Sequence, residues 1–253
     1  MKPSTLIARC LLAGLGLLAH VAQAVELKVL SGNGSRPAVI ALTKQFEQAT
    51  GHKVTVDFFV NPDVKKKIEA GEYFDVTVLN PPVLDDLIKQ GKVAANSRAV
   101  IGRIGLGAAI KSGAPKPDIS TVEGFKKTML SINSVAYPGD GASGIYFVSL
   151  LDRMGIGAEM KPKLRPMSGE YNVEVVATGT VDMVVVVASR IYGVPGVDML
   201  GLIPKELQTW IGFATGVNPQ SKHAEAARAL TKFLSTPPAD AVLKPIGIEP
   251  FVE

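Results

Sequence analysis

The sequence predicts an α/β protein in which parallel strands are covered by helices. Two observations carry this. Short apolar strands alternate with amphipathic helices from residue 27 to residue 79, and a later run, MVVVV from Met183, is apolar without interruption. Alternation of this kind is the pattern of βαβ units, and an unbroken β-branched run suits a strand buried on both faces. In order, Leu27 to Leu30 forms a strand. Pro37 to Thr50 carries Val39, Ile40, Leu42, Phe46 and Ala49 at close to helical spacing and ends on Gly51. Lys53 to Val60 alternates as a strand, Pro62 to Ala70 is a lysine-faced helix, and Phe74 to Leu79 is an apolar strand running into Asn80-Pro81-Pro82. A second series comprises a strand at Ser134 to Tyr137, helices at Ile145 to Met154 and Asn172 to Thr178, and the strand at Met183 to Ser189. Ser221 to Leu234 and Pro237 to Leu243 close the chain as two helices, and GAPKPD at residues 113 to 118 is the best linker candidate.

The first 24 residues, MKPSTLIARCLLAGLGLLAHVAQA, have Lys2 and Arg9, an apolar stretch from Cys10 to Val21, and Ala22-Gln23-Ala24, the small-x-small pattern that precedes cleavage. They predict an export signal cleaved after Ala24, hence a periplasmic protein; the apolar run is shorter than the roughly 20 residues of a membrane span. Cys10 is the single cysteine, so the remainder has no disulfide, thiolate nucleophile or thiolate metal site. Losing Lys2 and Arg9 lowers the basic count from 27 to 25 against 23 acids, a net +2 that argues against nucleic acid as a partner. Outside the signal only His52 and His223 remain, both expected to face solvent, so histidine-ligated metals and histidine catalysis have little support. No metal and no cofactor is expected.

Three loops share one chemistry. SGNGSRP, residues 31 to 37, YPGDGASG, residues 137 to 144, and RPMSGEYN, residues 165 to 172, each lead into a helix and each offer glycine and serine. Glycine lets backbone amides approach a ligand closely, and free amides at a helix start favour an anion. Serine and glycine before a helix are also ordinary caps, and Arg36 is equally compatible with a solvated surface position.

From Leu27 onward the chain resembles the periplasmic molybdate-binding proteins and their relatives, the class II solute-binding proteins of ABC importers. QFEQATGHKV, KIEAGEYFDVTV, SGIYFVSLL and GVDMLGLIPKELQ carry the resemblance. It implies a two-lobed class II periplasmic-binding-protein fold with the ligand in the interlobe cleft: residues 25–107 and 206–253 as lobe one, 108–205 as lobe two. It implies ligand contacts at Asn33, Gly34 and Ser35 with Arg36 beside them, at Asn61, at Ser143 and Gly144, and at Ser168 and Gly169. The tyrosine that completes the molybdate cage falls on Val187. With the phenol absent and a guanidinium close by, an organic carboxylate is expected over molybdate, because arginine matches a planar carboxylate through two parallel bonds. Two functions are therefore expected. One is a monomeric binding protein that presents a small anion to an ABC permease. The other is an isomerase, since periplasmic aconitate isomerases resemble the same family; Glu170 and Tyr171, with Asp140, are then the candidate acid and base.

Overall fold

The computed structural model describes residues 24–168, 173–236 and 239–249. Three strands, β1 (Glu26–Gly32), β2 (Lys53–Phe59) and β3 (Val76–Leu79), pair in parallel in the order β2-β1-β3. They are linked by α1 (Arg36–Thr50) and α2 (Asn61–Glu69), and α3 (Pro81–Lys89) follows β3. The helices form where the periodicity places them. In α1 the residues Val39, Leu42 and Phe46 are all buried, and the helix stops at Gly51, whose φ of 76° is a left-handed conformation that glycine adopts without strain.

A second parallel trio lies at the other end of the molecule: β5 (Val135–Pro138), β6 (Leu164–Met167) and β7 (Met183–Val187), with β5 between the other two. All five residues of β7 are buried, as the unbroken run requires. Around this trio pack α4 (Val122–Ser131), α5 (Ala142–Arg153) and the short α6 (Gly157–Met160). Phe125, Met129, Phe147 and Leu150 form its core, each buried side chain contributing on the order of 2 kcal/mol.

Antiparallel strands join the two trios. The 13-residue β4 (Ala99–Lys111) pairs with β9 (Trp210–Val217) up to Gly105 and with β7 from Leu106 onward, so one strand belongs to both halves. β8 (Val197–Leu202) pairs with the second half of β4, and the terminal β10 (Ile248–Glu249) with the first. Between β8 and β9 the side chain of Gln208 acts as a substitute strand: its Oε1 accepts from Leu106 N at 2.8 Å and its Nε2 donates to Leu106 O at 3.0 Å. α7 (Ala224–Leu234) and α8 (Asp240–Leu243) return the chain to the first half, where Phe233 packs edge-on against Phe46 at 5.6 Å. Lobe one is thus the half built on β1 to β3, and lobe two the half built on β5 to β7.

Several expectations need correction. His52 is not solvent-facing: it is buried beside Phe46, and its Nδ1 accepts from Val25 N at 3.3 Å, because the turn after α1 folds back onto the helix that precedes it. The segment expected as a helix at Asn172 to Thr178 is a single 3-10 turn, Val173–Val175, followed by turns; Asn172 lies outside the described residues. The stretch at Ser221 to His223 is a turn before α7, where Ser221 Oγ donates to the buried Asp75 at 2.6 Å. GAPKPD closes a loop at the end of β4 instead of separating the halves, and the crossing is made by β4 itself.

Candidate functional site

Four strand-to-helix junctions point into the gap between the lobes. β1, β2, β3 and β5 each end there and each hand over to a helix. The gap is lined by Asn33, Gly34 and Ser35 before α1, by Asn61 opening α2, by Asn80 capping α3, and by Gly141, Ala142 and Ser143 opening α5, with Val187 closing one side. Amide groups in a first helical turn have no partner inside the helix, and four helix dipoles present their positive ends together. The cavity measures about 30 Å³, room for little more than one water molecule. Ser189 Oγ in lobe two donates to Gly34 O in lobe one at 3.0 Å, one of the contacts that hold this arrangement.

The lobe-one wall is organised by its own side chains. Ser35 Oγ donates to Gly32 O at 2.9 Å and lies 2.9 Å from Ser31 Oγ, which fixes the loop and commits the Ser35 proton internally. What this loop can offer a ligand is therefore its backbone and the Asn33 side chain. Asn80 Nδ2 donates to Gly212 O at 2.8 Å, and Asn80 Oδ1 accepts a short hydrogen bond from Asn61 Nδ2. The remaining lining is apolar: Val60, Val78, Leu79, Val187, Ile211 and Phe213.

No ionisable side chain is among the described residues that line the cavity. The shifted groups lie elsewhere, as at the surface cluster where Lys67 and Lys28 hold the Glu72 carboxyl below its usual range by hydrogen bonding. Nor do the described residues contain three His, Cys, Asp or Glu side chains grouped to hold a metal.

Of the residues the sequence singles out, the structure brings Asn33, Gly34, Ser35, Asn61 and Ser143 together at the cavity. Gly144 is the third residue of α5, its N–H donating to Gly141 O at 3.0 Å, and a Cβ there would overlap the carbonyl oxygen of Pro138. Ser168 is exposed at the end of β6, away from the lining. Arg36 also lies off the lining: its guanidinium stacks over Phe58 at 4.5 Å and donates to Asn33 Oδ1 at 3.3 Å. Arg165 is exposed and bonds the carbonyls of Pro162 and Leu164, while Asp140 and Arg190 are partly buried beside the gap. Gly169, Glu170 and Tyr171 lie outside the described residues. Sequence reasoning missed Asn80. Its signal is the Asn-Pro pair that follows two successive strands, VNPD and LNPP, where proline suits a first helical turn and asparagine stands at the strand's end.

The profile of a family described as bacterial extracellular solute-binding protein matches residues 27–249. The chain belongs to that family. Among curated relatives, the aconitate isomerase of a Pseudomonas species is 34% identical over 257 residues, covering 98% of this chain and 96% of that protein. The molybdate-binding protein ModA of Azotobacter vinelandii is 29% identical over 246 residues, covering 92% and 94%. Among solved structures, the periplasmic molybdate-binding protein of Azotobacter vinelandii superposes with a TM-score of 0.72 at 19% identity, over 88% of this chain and 98% of that one; this is a likeness of fold. No helix among the described residues is long and apolar enough to cross a membrane.

Proposed function

We propose that this chain is a periplasmic solute-binding protein that closes its lobes on a small organic carboxylate in preference to molybdate. The observation that carries this is the mixed character of the cavity. Helix-start amides line it together with the apolar side chains of Val187, Ile211 and Phe213. A tetrahedral oxyanion needs donors on all sides, whereas a carboxylate on a hydrocarbon frame is charged at its ends and apolar between them. Lobe boundaries near residues 107 and 206, an export signal over residues 1–24 and delivery to an ABC permease belong to the same proposal.

A second reading, an isomerase interconverting trans- and cis-aconitate, is favoured by the 34% identity to an aconitate isomerase over almost the whole chain. That reaction takes a proton from one carbon of the tricarboxylate and returns one to another, so it requires an acid–base group at the ligand. The described lining offers none, and the role falls to Glu170 and Tyr171, or to Asp140 beside Gly141.

A thermal-shift screen of the protein beginning at Val25 against molybdate, sulfate, and di- and tricarboxylates tests the first reading. Ligand at about 100 times Kd adds roughly 2.7 kcal/mol, so a carboxylate should raise the melting temperature by several degrees where molybdate does not. Preference for molybdate overturns it. Proton NMR of trans-aconitate with catalytic amounts of protein tests the second: conversion to the cis isomer that Glu170→Gln abolishes makes the chain an enzyme, and an unchanged spectrum leaves it a binder.

A further inference from the structure

The asparagine pair in the lobe-one wall has a fixed direction. A backbone carbonyl can only accept, so Gly212 O obliges Asn80 to turn its Nδ2 toward it. Asn80 Oδ1 then faces Asn61 and can only accept, which obliges Asn61 to turn its own Nδ2 toward Asn80. The chain ends at Asn61 Oδ1. That oxygen is buried and has no hydrogen-bond partner among the described residues. It stands against Gly32, where a Cβ would approach it to 2.5 Å, and Gly32, Asn61 and Asn80 all line the cavity. A buried acceptor left without a donor costs about 1–3 kcal/mol, and nothing in this wall can rotate to relieve it without breaking the bonds to Asn80 and Gly212.

We infer that Asn61 Oδ1 is a specificity element that requires a hydrogen-bond donor on the bound anion, such as a hydroxyl or a protonated acid group, and that Asn80 is the positioning residue that holds it in the accepting orientation. The inference rests on the proposal that the cavity is an anion site, and adds to it which anions are refused. Helix-start amides attract any small anion. The Asn61 oxygen opposes one that brings only acceptors, since two oxygen lone pairs would then face each other across a dry contact. Sulfate and molybdate, fully ionised at neutral pH, are anions of that kind. Hydrogen phosphate and hydroxy-carboxylates are not.

Matched probes that differ by the donor alone test this by calorimetry at neutral pH: hydrogen phosphate against sulfate, malate against succinate, and citrate against its deoxy analogue tricarballylate. In the wild-type protein the donor-bearing member of each pair that binds is expected to be preferred about tenfold, the worth of one hydrogen bond with a well-placed acceptor. Asn80→Ala frees the Asn61 amide to turn and present its NH2, so the preference should fall to within about twofold through a gain in affinity for sulfate or succinate. Asn61→Ala should abolish the preference as well, and serves if Asn80→Ala does not fold. Equal affinities within every binding pair in the wild type, or a preference that survives both substitutions, overturn the inference. Binding of carboxylates without any preference would overturn it while leaving the carboxylate reading intact; a phosphate-over-sulfate preference with no carboxylate bound would do the reverse. Failure of all six probes to bind overturns both.

Discussion

The two walls of the cavity are built from different materials. Lobe one supplies side chains locked to one another: Ser31 with Ser35, Asn61 with Asn80, and Asn80 with a carbonyl of β9. Lobe two supplies, among its described residues, the backbone at Gly141 to Ser143 and the apolar face of Val187. A wall of interlocked amides is organised before any ligand arrives and can discriminate by donor and acceptor pattern. A wall of first-turn N–H groups is indifferent to everything except negative charge and distance. On the proposed function, lobe one would be the selecting wall and lobe two the closing wall.

The largest effect should come from breaking the closing wall at its foundation. A Cβ on Gly144 would collide with the backbone carbonyl of Pro138, which cannot swing aside, so α5 must move away from β5. Gly144→Ala is expected to cost about 3 kcal/mol of stability, at the upper end for overpacking, and to be visible as a lowered urea midpoint with an unchanged slope. Gly34→Ala in the selecting wall meets the Phe213 ring edge at 3.3 Å and the Val187 side chain at 3.9 Å, both of which can give, and should cost less than about 1 kcal/mol. Equal costs for the two substitutions would remove the distinction between a rigid and an adaptable approach.

The next effect is on affinity alone. Ser143 is the second residue of α5, where proline removes an N–H that the helix does not use. If lobe two binds through its backbone, Ser143→Pro should weaken ligand binding by about 2 kcal/mol, close to thirtyfold, while Ser143→Ala, which keeps the amide, should cost less than about 0.5 kcal/mol. Calorimetry on both folded variants decides it: an alanine effect as large as that of proline would show that the hydroxyl, not the amide, is the contact.

How much of this was legible in the sequence follows the same division between local and borrowed determinants. The strands and helices β1, α1, β2, α2 and β3 of the first trio, and β5, α5 and β7 of the second, declare themselves because each carries its own pattern, as Val39, Leu42 and Phe46 do in α1, whereas β6, α3 and α4 do not, β6 lying where the sequence reads a loop. The crossing strands β4 and β9 do not, because glycines interrupt them and those glycines answer to distant neighbours. A Cβ at Gly102 would stand 2.7 Å from Glu249 O, at Gly105 2.8 Å from Gln208 Nε2, and at Gly216 2.5 Å from the Val93 side chain. Nothing within β4 itself reveals those partners. In the site, SGNGSRP and YPGDGASG were legible as helix starts while RPMSGEYN was not one, and Asn80 acquires its role only through Gly212, 132 residues away. The orientation of Arg36 was likewise hidden, since it depends on Phe58 of the neighbouring edge strand.

Arg36 gives the smallest expected effect and the sharpest test of the selecting wall. Its sequence position, beside Gly34 and Ser35, suggests a guanidinium that clasps the carboxylate directly. In the structure the side chain leaves the first turn of α1 toward β2, stacks on Phe58 and donates to Asn33 Oδ1, so it acts on the cavity through Asn33. A stacked cation at a partly exposed site contributes about 0.5–1 kcal/mol to stability, and releasing Asn33 from one bond should weaken ligand binding by no more than about fivefold. Arg36→Ala is therefore expected to lower the melting temperature by a few degrees with a minor change in Kd, and Arg36→Lys, which keeps the charge but loses the planar stack, should resemble alanine in stability. A loss of a hundredfold or more in affinity with the melting temperature unchanged would mean that the guanidinium swings into the cavity when ligand is bound. Lobe one would then select by charge as well as by its amide pattern.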